Sequence, residues 1–178
     1  VHVLSVRNEC KELLFVVERE ADGREPLVRC INFGLDGMQS FSFTLEEERS
    51  AVLVPAGQVG TYLYEPNASV LKAGAFKQIA VRTGVKMLQV NSHLYTSDHL
   101  VSDFPGRRFR VDEVLSFTGK LCKGLSKTIP QANITVRNFP LSVEELRKRT
   151  KITDGGHVYL FATTLVDGEK VLVKCSKA

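Results

Sequence analysis

Residues Tyr62 to Ser97 read YLYEPNASVLKAGAFKQIAVRTGVKMLQVNSHLYTS, and they carry the signals of strand, helix and strand in turn. Tyr62 to Tyr64 predicts a short strand, Glu65 and Pro66 a turn, the residues after them one helix ending near Thr83, and Val85 to Tyr95 a second strand. Pro66 marks the helix entrance, where a missing N–H does no harm, Asn67 or Ser69 can cap it, and Gly84 supplies a left-handed stop. Leu71, Ala75 and Ile79, with Val70 and Phe76 one residue off, recur at helical spacing, while Lys72, Lys77 and Arg82 fall elsewhere on the wheel. One face is expected to be buried and another basic.

Upstream, the runs VHVLSV, ELLFVVE, LVRCINF and QSFSFT alternate with turn signals and predict four strands in mostly antiparallel neighbours. Thr44 with Glu47 makes a capping box for a short charged turn from Leu45 to Ser50. Downstream, Pro105 and Gly106 punctuate the chain, and a strand from Arg108 to Leu115 is expected, then a helix from about Thr118 to Lys127. The strand Ala132 to Asn138 follows, then a helix from Ser142 to about Arg149 with the capping box Ser142 to Glu145. A hairpin closes the chain, Val158 to Leu165 and Lys170 to Cys175 around Asp167-Gly168. The fold class is α+β, built of small two-layer units: a β-rich segment at 1–51, a second unit at 52–104 and a βαβαββ unit at 105–178.

Four blocks carry a family resemblance: YLYEPNASVLKAGAF, NSHLYTSD, VRNFPLSVEELRKR and GGHVYLFATTLVDGEKVLVKC. In this order they resemble the C-terminal half of a bacterial family of class I S-adenosylmethionine-dependent methyltransferase-like proteins, over essentially the whole chain. The resemblance implies a ferredoxin-like segment at 52–104, a THUMP-like domain at 105–178, and first strands that form the tail of a methyltransferase domain. It also implies S-adenosylmethionine as cofactor of the parent protein and that protein's own methyltransferase domain as a partner. The order βαβαββ is similar to the RNA-binding core of THUMP domains and to the C-terminal domain of a bacterial translation initiation factor. Val1 is not an initiator Met and opens a run that looks like a sheet edge, as expected of a fragment.

The 178 residues are 43% apolar and 25% charged, a composition expected of a folded globular protein. With no apolar run near membrane-spanning length and no secretory signal at the start, the expected compartment is the cytoplasm and no membrane partner is expected. Cys10, Cys30, Cys122 and Cys175 stand far apart, as do His2, His93, His99 and His157, so no metal site or disulfide framework is signalled. Charge is uneven: residues 1 to 51 hold 6 Lys and Arg against 10 Asp and Glu, whereas residues 105 to 178 hold 14 against 7. A basic region beside an acidic one points to a polyanionic partner, although solubility alone produces such a split.

Strand alternation then assigns faces. If Asp167-Gly168 closes a two-residue loop, Leu165 faces Lys170, Thr163 faces Leu172 and Phe161 faces Lys174. Thr164 with Val171, Ala162 with Val173 and Leu160 with Cys175 would then lie under the helices, joined by Phe109, Val111, Ile134 and Val136. The opposite face collects Arg108, Arg110, Arg137, Tyr159, Phe161, Lys170 and Lys174, with Asn133 and Thr135 between them. Cations neutralise phosphates and aromatic faces stack bases, so these seven residues are the expected RNA-binding set. The bland alternative stays open, with Tyr159 and Phe161 packed against the preceding domain and the cations rimming a solvated surface.

Arg147, Lys148, Arg149 and Lys151 read first as ordinary helix termination, and Lys120, Lys123 and Lys127 as a solvated stripe. In Arg137-Asn138-Phe139-Pro140 the ring and the proline suit a rigid corner, and Arg137 suits phosphate. No glycine-rich turn after a parallel strand, nucleophile with its base, or carboxylate cluster beyond Glu46, Glu47 and Glu48 is found, so no catalytic or cofactor-binding residue is assigned. Glu65 and His93 are the polar residues worth testing for a role in the parent enzyme. The expected function is therefore to bind and position structured RNA for a catalytic domain. A protein-interaction or dimerisation module that docks on that domain is the alternative.

Overall fold

The computed structural model describes residues 1–17, 19, 23–35 and 37–178. The chain divides into two compact units, each drawn from three pieces of sequence. Val1–Val54, Glu65–Val85 and Val101–Arg107 form the first; Pro55–Tyr64, Lys86–Leu100 and Arg108–Ala178 form the second.

In the first unit β1 (His2–Val6), β2 (Glu9–Leu14), β3 (Leu27–Gly34) and β4 (Gly37–Thr44) make a sheet of order β2-β1-β3-β4. β1 runs antiparallel to β2 and parallel to β3, and β3 runs antiparallel to β4. Alternation gives the sheet two characters. Val3, Ser5, Val28, Cys30, Asn32 and Phe43 are buried on one face, while Val6, Phe33 and Met38 stand opposite one another in an exposed row on the other.

Three short helices belong to this unit: α1 (Leu45–Ser50), α2 (Ala68–Ala73), which lies against β1, β2 and β3, and α3 (Phe76–Thr83). The expected box is complete on α1, with Thr44 Oγ1 accepting from the Glu47 N–H and the Glu47 carboxylate accepting from the Thr44 N–H. The single helix expected before Thr83 is two, because Gly74 takes a left-handed φ of 76° and its N–H closes on the carbonyls of Val70 and Leu71. Pro66 ends a strand instead of opening the helix, and Asn67 is the cap, its Oδ1 accepting from the Val70 N–H.

Asn67 also anchors a buried polar chain. Its amide donates to Gln39 Oε1 at 3.1 Å, its Oδ1 accepts from Ser69 Oγ at 2.7 Å, and Gln39 in turn donates to the Gly106 carbonyl at 3.1 Å. Asn32 continues the chain, donating to Gln39 at 3.4 Å and accepting from Ser5 Oγ at 2.7 Å. Side chains at these depths are tolerated because they are bonded to one another.

The second unit holds β5 (Tyr62–Pro66, whose last two residues pass into the first unit), β6 (Lys86–Met87), β7 (Tyr95–Ser97) and β8 (Gly106–Ser116, whose first two residues belong to the first unit). After them come α4 (Gly119–Thr128), β9 (Asn133–Arg137), α5 (Val143–Thr150), β10 (Tyr159–Thr164) and β11 (Lys170–Lys177), the expected βαβαββ order. The sheet order is β6-β7-β5-β8-β11-β10-β9. The strand expected from Val85 to Tyr95 is instead the antiparallel pair β6 and β7, Lys86 opposite Thr96 and Met87 opposite Tyr95. Between them the Leu88 N–H bonds the Leu94 carbonyl at 2.9 Å and His93 adopts a φ of 51°.

Two apolar layers cover this sheet. Leu125, Ile129, Leu146, Leu160, Ala162 and Leu172 are buried under α4 and α5, with Ile134 and Val136 beside them. Phe109, Phe161, Val171, Val173 and Cys175 are buried on the other side with Ala56, Leu63, Leu88 and Leu94. Burial pushes the Cys175 thiol up to about 12, with the Asp112 charge adding to it, as expected of a dry layer.

Candidate nucleic-acid interface

The terminal hairpin decides which side chains share a face, and its loop is one residue longer than expected. Leu165 N–H bonds the Glu169 carbonyl at 2.8 Å, leaving Val166, Asp167 and Gly168 as the loop. The Gly168 N–H bonds the Leu165 carbonyl at 3.1 Å and Gly168 takes a φ of 89°, the form of a three-residue loop ending in a left-handed glycine. β10 and β11 therefore pair as Tyr159 with Cys175, Phe161 with Val173, Thr163 with Val171, Leu160 with Lys174 and Thr164 with Lys170. The two-residue loop and its pairing are overturned, and a slip of one residue moves a whole strand to the other face.

The expected RNA-binding set is accordingly divided. Tyr159, Phe161 and Arg137 lie on the face away from α4 and α5, with Arg137 opposite Thr163. Lys174 and Lys170 lie on the helix side with Leu160 and Thr164. Arg110, opposite Ser176, and Arg108 share that side, because Phe109 and Val111 point into the other layer. A bulge at Asp112, where the register steps from Glu113 to Val111, lets β8 keep Leu115 under the helices further along.

The rings serve packing. Phe109 stacks between Tyr159 and Phe161, with centroids 4.9 Å away in each case. Phe161 is 1% exposed and Tyr159 half-buried, so a base has no access to the Phe161 face in this fold. Of the seven, Arg110 and Lys170 are exposed, while Arg108, Arg137 and Lys174 are partly covered.

The Arg137 charge does bear on a residue singled out in the sequence: His93 is held below its ordinary value, first by burial and then by that charge. Phe139 forms the expected corner, edge-on to Phe117 at 4.9 Å, and the Asn138 carbonyl accepts from Thr164 Oγ1 at 2.7 Å. Glu65 is a buried carboxylate, 3% exposed, bonded by Arg107 Nε at 2.8 Å, which is a structural ion pair within the first unit. Glu48 is also used structurally, accepting from the Lys77 and Gln78 N–H groups at 2.9 and 2.8 Å and so capping α3. No local signal announces that role, since α1 and α3 lie in separate stretches of sequence.

The helical layer presents a different surface. Lys120, Lys123 and Lys127 on α4 are exposed, as are Lys148, Arg149 and Lys151 at the end of α5. Arg147 is occupied internally, donating to the Ala132 and Ile152 carbonyls at 3.2 Å each and pairing with Asp154. Among the described residues no group of three or more His, Cys, Asp or Glu is placed to hold a metal ion, and no helix is long and apolar enough to cross a membrane.

Comparison with known proteins agrees with this architecture. A family model described as a ferredoxin-like domain matches residues 62–105, and one described as THUMP domain-like matches residues 106–177. The crystal structure of a "putative methyltransferase" from Porphyromonas gingivalis W83 superposes with a TM-score of 0.91 at 44% identity, over 99% of this chain and 45% of that one. No curated protein matches the sequence. The chain thus spans less than half the length of that relative and, over residues 62–177, joins a ferredoxin-like domain to a domain of the THUMP-like family.

Proposed function

We propose that this chain is an accessory region that holds structured RNA for a methyltransferase domain of the same protein, in the cytoplasm, with S-adenosylmethionine serving that domain. The observation that supports it is where the charge lies. The THUMP-like stretch carries the positive excess, 14 Lys and Arg against 7 Asp and Glu over residues 105 to 178, while residues 1 to 51 are acidic. With the Phe161 ring enclosed, the affinity rests on phosphate contacts, and these release counterions.

The residues present do not fit S-adenosylmethionine themselves. Gly34 and Gly37 face each other across an antiparallel hairpin, and Gly155 and Gly156 lie against the Gln131 side chain. The parallel strands β1 and β9 lead into Arg7-Asn8 and Asn138-Phe139, with no glycine for the cofactor to approach. No catalytic step is assigned to this chain.

Titration of a labelled, base-paired RNA with the 178-residue chain tests the reading. The logarithm of affinity should fall linearly with that of salt between about 50 and 200 mM. RNA binding that is absent, or indifferent to salt, removes it. A second reading is favoured by the exposed row Val6, Phe33 and Met38: the first unit docks on the methyltransferase domain. In that case Phe33→Ser weakens association with the separately prepared domain, and salt has little effect.

A further inference from the structure

We propose that RNA is met by the outer side of the α4–α5 layer, and that this surface takes the phosphate backbone of a base-paired stem. The inference rests on the RNA reading above and adds the place and the kind of RNA.

Lys120, Lys123 and Lys127 fall within an arc of about 60° on α4, at about 100° per residue, opposite the buried Cys122 and Leu125. No Asp or Glu occurs in α4. A solvated helix face normally mixes signs and gains from pairs three or four residues apart, whereas this row only repels itself. Arg149 adds an exposed cation on α5, which packs against α4. On α5 Glu144 and Glu145 stand exposed in the first turn, so the positive excess lies at its end, on Lys148, Arg149 and Lys151, while Arg147 is turned inward to Asp154.

The remainder of the unit offers less. One face of the sheet is filled by Phe109, Phe161, Val173 and Cys175, and these same helices cover the other over Leu160, Ala162 and Leu172, leaving Arg110 and Lys170 as its exposed cations. Neither α4 nor α5 contains an aromatic residue, so the surface has cations for phosphates and no platform on which unpaired bases stack. A stem, which displays its backbone and hides its bases, is the ligand such a surface suits.

The test uses the full chain and fluorescence anisotropy with a labelled RNA hairpin, compared with a single-stranded RNA of equal length. The triple variant Lys123→Glu, Lys127→Glu, Arg149→Glu should weaken hairpin binding at least about tenfold and flatten the salt slope by about 2 to 3. Arg110→Glu with Lys174→Glu should leave affinity within about twofold. Because all three helix positions are exposed, circular dichroism melting should match the parent, and the corresponding Gln variant replaces the Glu one if it does not. Wild-type hairpin binding that survives the helix variants but fails in Arg110→Glu with Lys174→Glu overturns the location and leaves the RNA reading standing. Preference for the single strand overturns the stem as ligand. Absence of salt-sensitive binding by the wild type removes the RNA reading itself, and this inference with it.

Discussion

Phe161 meets Phe109 edge-on, with ring centroids 4.9 Å apart and planes inclined at 64°, and both rings are 1% exposed. The pair sits in the layer opposite α4 and α5, so its contribution is to the core rather than to recognition. Phe161→Ala should cost about 3–5 kcal/mol in urea denaturation. A loss below about 1 kcal/mol would mean that the rings are not packed as described.

Two glycines separate backbone strain from crowding. A Cβ at Gly168 meets nothing within 4 Å, so Gly168→Ala should cost only the left-handed conformation, about 1–2 kcal/mol. A Cβ at Gly106 would overlap the Glu65 carbonyl oxygen and come within 2.8 Å of Pro66 Cα, atoms that cannot swing aside. Gly106→Ala should therefore cost about 3 kcal/mol or more. Equal melting temperatures for the two variants would contradict this assignment.

Asn67→Ala removes the cap of α2 and leaves Gln39 and Ser69 without their bonds to it. The expected loss is about 1–3 kcal/mol, against about 1 kcal/mol for Ser69→Ala, which breaks one link. Equilibrium unfolding of the two variants distinguishes a cap set in a polar chain from an isolated one.

His93 should titrate below about 6.5 in the folded chain, since burial first and the Arg137 charge second disfavour its protonated form. The unfolded chain then binds the proton at higher pH than the folded one. The contribution to stability is therefore full above 6.5 and is lost as pH falls through the folded value. Arg137→Gln should raise the His93 titration midpoint, followed by its imidazole resonances, yet leave it below the ordinary value because burial remains. An unchanged midpoint would separate the two residues.

Much of this architecture is readable locally. Ser142 with Glu145, and Thr44 with Glu47, announce helix starts by pairs three positions apart, and both boxes form. The βαβαββ order follows from alternating periodicities in the same way. The candidate face is not readable locally, because Asp167-Gly168 marks a turn without saying whether Val166 belongs to it. That one residue reverses the parity of β11 and carries Lys170 and Lys174 to the helix side. The enclosure of Phe161 depends on Leu88 and Leu94, far upstream in the chain, which strand alternation cannot reveal. Gly74 was equally silent, since a glycine inside an apolar period is compatible with a continuous helix as well as with a break.

The pairing of the terminal hairpin underlies the placement of every candidate cation and ring, and interstrand nuclear Overhauser contacts read it directly. Backbone contacts should join Ala162 to Leu172 and Phe161 to Val173, as the three-residue loop requires. Contacts joining Ala162 to Val173 and Thr163 to Leu172 would restore the two-residue loop and return Lys174 to the face of Phe161.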